Sequence, residues 1–237
     1  MSKLHTFNNA YEYIDDSEVV KSSQEYVSYG TNNDYPNYLI DLYQKSSVHN
    51  ALCNSIASWI YGDGVTSPDK AVKVEAWAKF LTLFDKGIGK NTIQKCVLDL
   101  KVQGGFYLSL TYSLDRTTIT EVEHIPYENM RTGEETDGKV EFYYYSKDWA
   151  QVKKVGYDKV KAFDPEQKQA YPNQIVCFKM YSVRSYYYPK PDYQGGLNYI
   201  NLDKNVSEYH LANIQNGLAP SFLLSFNQGI PSEEKRR

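Results

Sequence analysis

The sequence predicts an α+β fold: N-terminal helices packed with a mostly antiparallel sheet, then a long helix and a short strand. Three observations carry this reading. Between residues 36 and 104, apolar residues recur at steps of three and four, the helical period. From Phe106 the period drops to two, the strand period. After a Pro-rich connection, residues 197–216 return to the helical period.

The first 30 or so residues are polar and Tyr-spotted, without period, and read as an arm that is loosely held or docked on a neighbour. Residues 31–195 read as one α+β domain, 196–217 as a separate helix, and 218–237 as the start of a further unit. Pro36 stands where a first helix begins, since proline lacks only an N–H that would be unpaired there. Ser46 is placed to cap a second helix with the stripe Val48, Leu52, Ile56, Trp59 and Ile60, stopped by Gly62 and Gly64. Ser67-Pro68 restarts a third helix with Trp77, Phe80, Leu81 and Phe84 on one face, stopped at Gly87. Asn91 caps a fourth, with Ile93, Val97 and Leu100, stopped at Gly104.

Strands follow. Phe106, Leu108, Leu110 and Tyr112 alternate on one face, and a turn at Asp115-Arg116 leads to a strand over 118–125. Asp137-Gly138 between strand-like segments is a hairpin signal. Residues 146–172 read as irregular, and 174–181 as another strand. The last helix carries two apolar stripes: Tyr199, Leu202, Val206, Tyr209 and Leu197, Ile200, Leu211, Ile214. A helix apolar on two sides needs neighbours on more than one side. Gly217 ends it, Pro220 forbids continuation, and SFLLSF (221–226) reads as a strand. Pro231-Ser232-Glu233-Glu234 resembles a helix's first turn, so the chain is expected to be a fragment or an interrupted frame.

Composition narrows the function classes. Of 237 residues, 41% are hydrophobic, but 23 are tyrosine; without them roughly 31% is apolar. No run of about 18 apolar residues suggests a membrane span, and the start has no apolar leader. Cys53, Cys96 and Cys177 form no CxxC pair and no disulfide framework, which suits a reducing place of synthesis. The net charge of -3 lacks the dense basic patch that a phosphate grip needs. Contact with DNA that must not stick remains compatible with it.

Catalytic signals are sparse. None of the histidines (His5, His49, His124, His210) is read as standing at i, i+4 from another His or from Cys, so no metal signature is expected. GIGKNT (87–92) is not a Walker loop, because Phe84 stands where the first glycine belongs. There is no GxSxG, and the helical Cys53 and Cys96 read as buried small hydrophobes. No enzymatic activity, cofactor or metal is expected. The tyrosine runs 143–145 and 186–188 suit cross-strand packing singly and a large subunit interface as a set.

Two strings resemble a known family. YGTNNDYPNYLIDLYQKSSVHNALCNSIASWIYGDGV (29–65) resembles the opening of tailed-bacteriophage portal proteins, in particular those of phages or prophages of Bacteroidetes. YYYPKPDYQGGLNYINLDKNVSEYHLANIQNGLAPSFLLSFNQGIPSEEKRR (186–237) is similar to the same group, where a YP-x-PDY connection leads into a long stem helix ending at an NG-x-xPS turn. Asp148-Trp149 and the order of elements between also fit. The resemblance implies that residues 1–195 form the wing, 197–216 the first stem helix, and 218–237 the beginning of the clip, with the rest of a portal missing. It implies a structural virion subunit, made in the host bacterial cytoplasm, of a dodecameric ring that replaces one capsid vertex. DNA would be packaged and ejected through that ring, with terminase, the major capsid protein and the head–tail adaptor as partners. Leu197, Ile200, Leu202, Val206, Tyr209, Leu211 and Ile214 would then carry stem packing between subunits, and Asn216, Gly217 and Pro220 the stem-to-clip turn.

The alternatives are a Tyr-rich carbohydrate- or surface-binding module of a phage tail or bacterial protein, a small hydrolase with a site around His124, and a ring-forming adaptor. The strand-rich middle argues against the adaptor.

Overall fold

One serine joins the first two helices of the chain. In the computed structural model, which describes residues 18–19, 24–62, 64, 74–84, 92–183 and 185–216, a short strand pair, β1 (Glu18–Val19) and β2 (Ser28–Tyr29), precedes α1 (Tyr35–Lys45) and α2 (Ser47–Tyr61). The Ser46 N–H closes α1 on Leu42 O at 3.0 Å, and its Oγ accepts the His49 N–H at 3.3 Å to cap α2. Pro36 lies in the first turn of α1, as expected. Helices α3 (Val74–Thr82) and α4 (Thr92–Gln103) follow; the proposed start at Ser67-Pro68, the stop at Gly87 and the cap Asn91 lie outside the described residues.

Gly104 stops α4 at φ +85°. A Cβ there would stand 2.9 Å from the Lys190 carbonyl oxygen. Gly104→Ala is therefore expected to lower stability by about 1–3 kcal/mol, from left-handed strain and a backbone clash. Urea unfolding measures it, and an unchanged midpoint would show that the chain relaxes around the methyl.

The rest is mainly sheet. Strands β3 (Gly105–Tyr112), β4 (Ile119–Ile125), β5 (Met130–Thr132), β6 (Glu135–Thr136), β7 (Lys139–Val140) and β8 (Phe142–Tyr145) lead through the short α5 (Val152–Val155) to β9 (Asp158–Ala162) and β10 (Asn173–Lys179). Six strands form one sheet in the order β4-β3-β10-β9-β8-β5, antiparallel except for the β9–β10 pair. β6 and β7 form the expected hairpin, with Asp137 at φ +52° and Gly138 at φ +80°. The 19-residue α6 (Leu197–Gln215) follows. The α+β class therefore stands. The expected clip strand lies outside the described residues.

Both faces of the sheet are covered. Leu110 and Tyr112 are buried, as the alternation predicts, and this face meets α4: His124 pairs with Asp99 at 2.7 Å. The opposite face holds Tyr107, Cys177, Ile125 and Ile175 against a core of Val27, Tyr29, Tyr35, Leu39, Tyr127, Met130 and Tyr188. Tyr107, which the alternation leaves on the polar side, is 1% exposed. Hydrogen bonds offset the desolvation of several tyrosine hydroxyls: Tyr29 Oη donates to Pro189 O at 2.6 Å, and Tyr188 Oη donates to Val27 O while accepting the Thr132 N–H at 3.0 Å. Tyr29 and Tyr188 stack at 4.2 Å.

Three expectations change. The stretch read as irregular, 146–172, contains β9, which lies inside the sheet between β10 and β8. Its sequence DKVKA reads as polar because Lys159 and Lys161 use aromatic faces: their ammonium groups sit 4.5 and 4.6 Å from the Phe142 ring centre. The end of the expected arm, Tyr26 to Tyr29, is buried in the core. Most unexpectedly, α2 is turned the other way. Its buried line is His49, Cys53 and Ala57, whereas Val48, Leu52, Trp59 and Ile60 of the predicted core stripe face solvent.

Arg131 is fully buried beside this core. Nε donates to Asn33 Oδ1 at 2.5 Å and Nη2 to Asn33 O at 2.6 Å. Nη1 donates to Glu128 O at 2.9 Å and Met130 O at 2.7 Å. The guanidinium lies 4.9 Å from the Trp149 ring centre.

Candidate subunit interface

Helix α6 is tied to the body by one side of its first turns. Before it, Tyr193 Oη donates to Val102 O at 2.6 Å and Tyr35 Oη to Gln194 Oε1 at 2.9 Å. Along it, Asn201 Nδ2 donates to Tyr38 Oη at 2.6 Å, Ser46 Oγ to Asp203 Oδ2 at 2.6 Å, and Lys204 Nζ to Asp41 Oδ2 at 2.5 Å. Lys204 thus takes a partner across the fold rather than Glu208 one turn along its own helix. Asp41 also takes Lys45 at 2.7 Å. Burial pushes the Asp41 carboxyl up, but the hydrogen bonds and charges of Lys204 and Lys45 outweigh it and hold its pKa below the ordinary value.

This joint is polar, so α6 reaches the body without burying any side chain fully. Of the seven expected stem residues, Leu197 and Ile200 are half-buried, with Leu197 packed on the tyrosine core. Leu202, Val206, Tyr209, Leu211 and Ile214 are exposed, at 44% (Val206) to 65% (Ile214). The inner stripe therefore begins on the body and runs off it, while the outer stripe, with Tyr199 at 77%, faces away throughout. Isolated apolar residues at a surface mean little, but whole helical stripes mark interaction surfaces. Asn216 closes the helix, its N–H bonded to Ala212 O at 2.9 Å; Gly217 and Pro220 lie outside the described residues.

The exposed face of α2 is a second such surface, which reading the sequence missed as a surface because periodicity shows an apolar side without showing what covers it. The joint between the two helices holds a titratable group. His49 is buried, lies edge-on to the Tyr193 ring at 4.3 Å, and has Cys53 Sγ at 3.7 Å from both ring nitrogens. His49 and Cys53 do stand at i, i+4, contrary to the expectation of no such His–Cys spacing, and one helical turn brings them together. Burial lowers the His49 pKa, with the Asp192 carboxylate opposing in part. The unfolded chain therefore takes up the proton near pH 6.5 and the folded one only lower. Between those values the unfolded state holds more protons, so this contribution to stability is full above pH 6.5 and falls as pH drops towards the folded value. Chemical denaturation at a series of pH values is expected to show that decline, and His49→Gln to flatten it.

The reactive groups elsewhere are quiet. Burial pushes the thiols of Cys53 and Cys96 up to about 11 and about 12, and raises that of Cys177. These are not thiolates at neutral pH. His124 Nε2 meets Asp99 Oδ2, which also accepts the Tyr127 N–H at 3.2 Å, so the pair ties β4 to α4. Among the described residues, no three His, Cys, Asp or Glu side chains gather as a metal site. Among the described residues eight tyrosines are buried, most of them in the core clusters.

No protein-family model and no curated protein sequence matches the chain. Solved structures do resemble it. A chain in the neck of an empty gene transfer agent (GTA) particle, computed with C6 symmetry, superposes at TM-score 0.62 with 14% identity, covering 85% of this chain and 53% of that one. A chain of the native GTA virion gives 0.58 with 15% identity, covering 85% and 52%. One in the native GTA neck, computed with C12 symmetry, gives 0.54 with 14% identity, over the same shares. The fold is thus one found in phage-like particle necks, and the chain spans about half the length of these neighbours.

Proposed function

We propose that this chain is a structural subunit of a portal ring at one capsid vertex of a phage-like particle. The observation that carries the reading is α6: its outer stripe and the far end of its inner stripe, Leu211 and Ile214, are uncovered, on a fold shared with particle-neck chains. A ring subunit needs apolar surface on two sides, and α6 supplies it. The strings at 29–65 and 186–237 support the portal within that class. DNA would pass through the ring during packaging and ejection, and a net charge of -3 avoids the counterion-releasing grip that would hold it. Terminase, the major capsid protein and the head–tail adaptor are the partners this role requires, and twelve copies the proposed ring. The role needs no bond chemistry, cofactor or metal. Sequencing the DNA around the gene tests it: a large ATPase gene on one side and a capsid gene on the other are expected. Neighbours unrelated to virions would overturn the proposal.

A further inference from the structure

We infer that the exposed face of α2 is the seat for the outer stripe of α6 from the next copy of the chain, so that the subunit contact is head-to-tail. The inference rests on the ring reading and adds to it which two surfaces meet. The first ground is charge. In fifteen residues α2 carries no Asp, Glu, Lys or Arg, and its solvent face is built on Val48, Leu52, Trp59 and Ile60, with Trp59 80% exposed. A face without charges loses least against another such face. The outer stripe of α6 fits, since Asp203 and Lys204 turn to the body and bind Ser46 and Asp41, leaving Tyr199, Leu202, Val206 and Tyr209 as an uncharged ridge.

The second ground is direction. The same contacts fix the opposite side of α6 to its own body. Its outer stripe therefore points away from its own α2, so an outer stripe lying there comes from another copy. The third ground is area. At ordinary side-chain sizes the eight exposed anchors offer roughly 1,000 Å², near the lower bound of a specific interface. Two unlike patches on one chain give a heterologous contact, which repeats until it closes into a ring.

Cross-linking tests this on the full chain. Trp59→Cys and Tyr209→Cys alter exposed side chains, and the native thiols are poorly ionised, so a short bis-maleimide at neutral pH reads the new pairs. The mixture of the two variants is expected to give a 59–209 dimer, neither variant alone a comparable dimer, and the double variant a ladder of multimers. Adding Leu52→Glu to the Trp59→Cys chain should abolish the link. A strong dimer from Trp59→Cys alone would mean a two-fold contact and overturn the proposal, as would a mixture with no 59–209 product. Electron microscopy of the protein made from its whole reading frame separates the two failures. Rings without the link sink this pairing alone, whereas neither rings nor link sinks the ring reading as well.

Discussion

Arg131→Ala is expected to lower stability by about 3–4 kcal/mol, a large share of what holds a domain folded. The guanidinium is fully buried, and its hydrogen-bond partners are neutral oxygens of Asn33, Glu128 and Met130. Burial lowers its pKa, and the neighbouring tyrosines and the Asp34 carboxylate oppose that only in part. Truncation would open a cavity against Trp149 and leave buried acceptors without a donor. It would also release Asn33, which holds φ +57° and accepts the Tyr29 N–H at 2.9 Å through the same Oδ1. Arg131→Met keeps much of the volume and removes the buried cation, so its cost should be smaller, about 1–2 kcal/mol. Urea unfolding of both variants measures the pair. An alanine variant within 1 kcal/mol of the parent, on the same scale, would show that water replaces the guanidinium.

Leu202→Glu combined with Val206→Glu is expected to leave the fold intact and remove assembly. Both side chains are exposed, so stability should change by less than about 0.5 kcal/mol per site. Placed in a contact, two like charges would each lose water without a partner. The expected loss in association is at least about 100-fold. Sedimentation of the protein made from its whole reading frame reads assembly, and circular dichroism reads the fold. Full assembly of the double variant would remove the outer stripe of α6 from the contact.

What the sequence made legible, and what it hid, divides along a physical line. Features that act within a few residues were readable: the Ser46 cap, the stop at Gly104, the Asp137-Gly138 turn, and the length of α6. Features set by what lies across the fold were not. The apolar side of α2 was visible, but the sequence does not say whether its apolar side or its His49–Cys53–Ala57 line meets the body. β9 was hidden because its lysines find aromatic faces on a neighbouring strand. Lys204 had a local partner in Glu208, yet Asp41, 163 residues away, wins it. The seven residues expected to carry stem packing fall on one helix, but two of them also belong to its seat on the body. The tyrosines read singly as sheet packing and as a set as an interface; among the described residues eight of them lie in the core.

The central claim is that this chain is a ring subunit. Negative-stain electron microscopy of the protein made from its whole reading frame tests it most directly. The account predicts rings of identical subunits around an open channel, with α6 lining the contacts between them. Monomers or closed two-fold dimers at concentrations where the exposed stripes should be covered would contradict it.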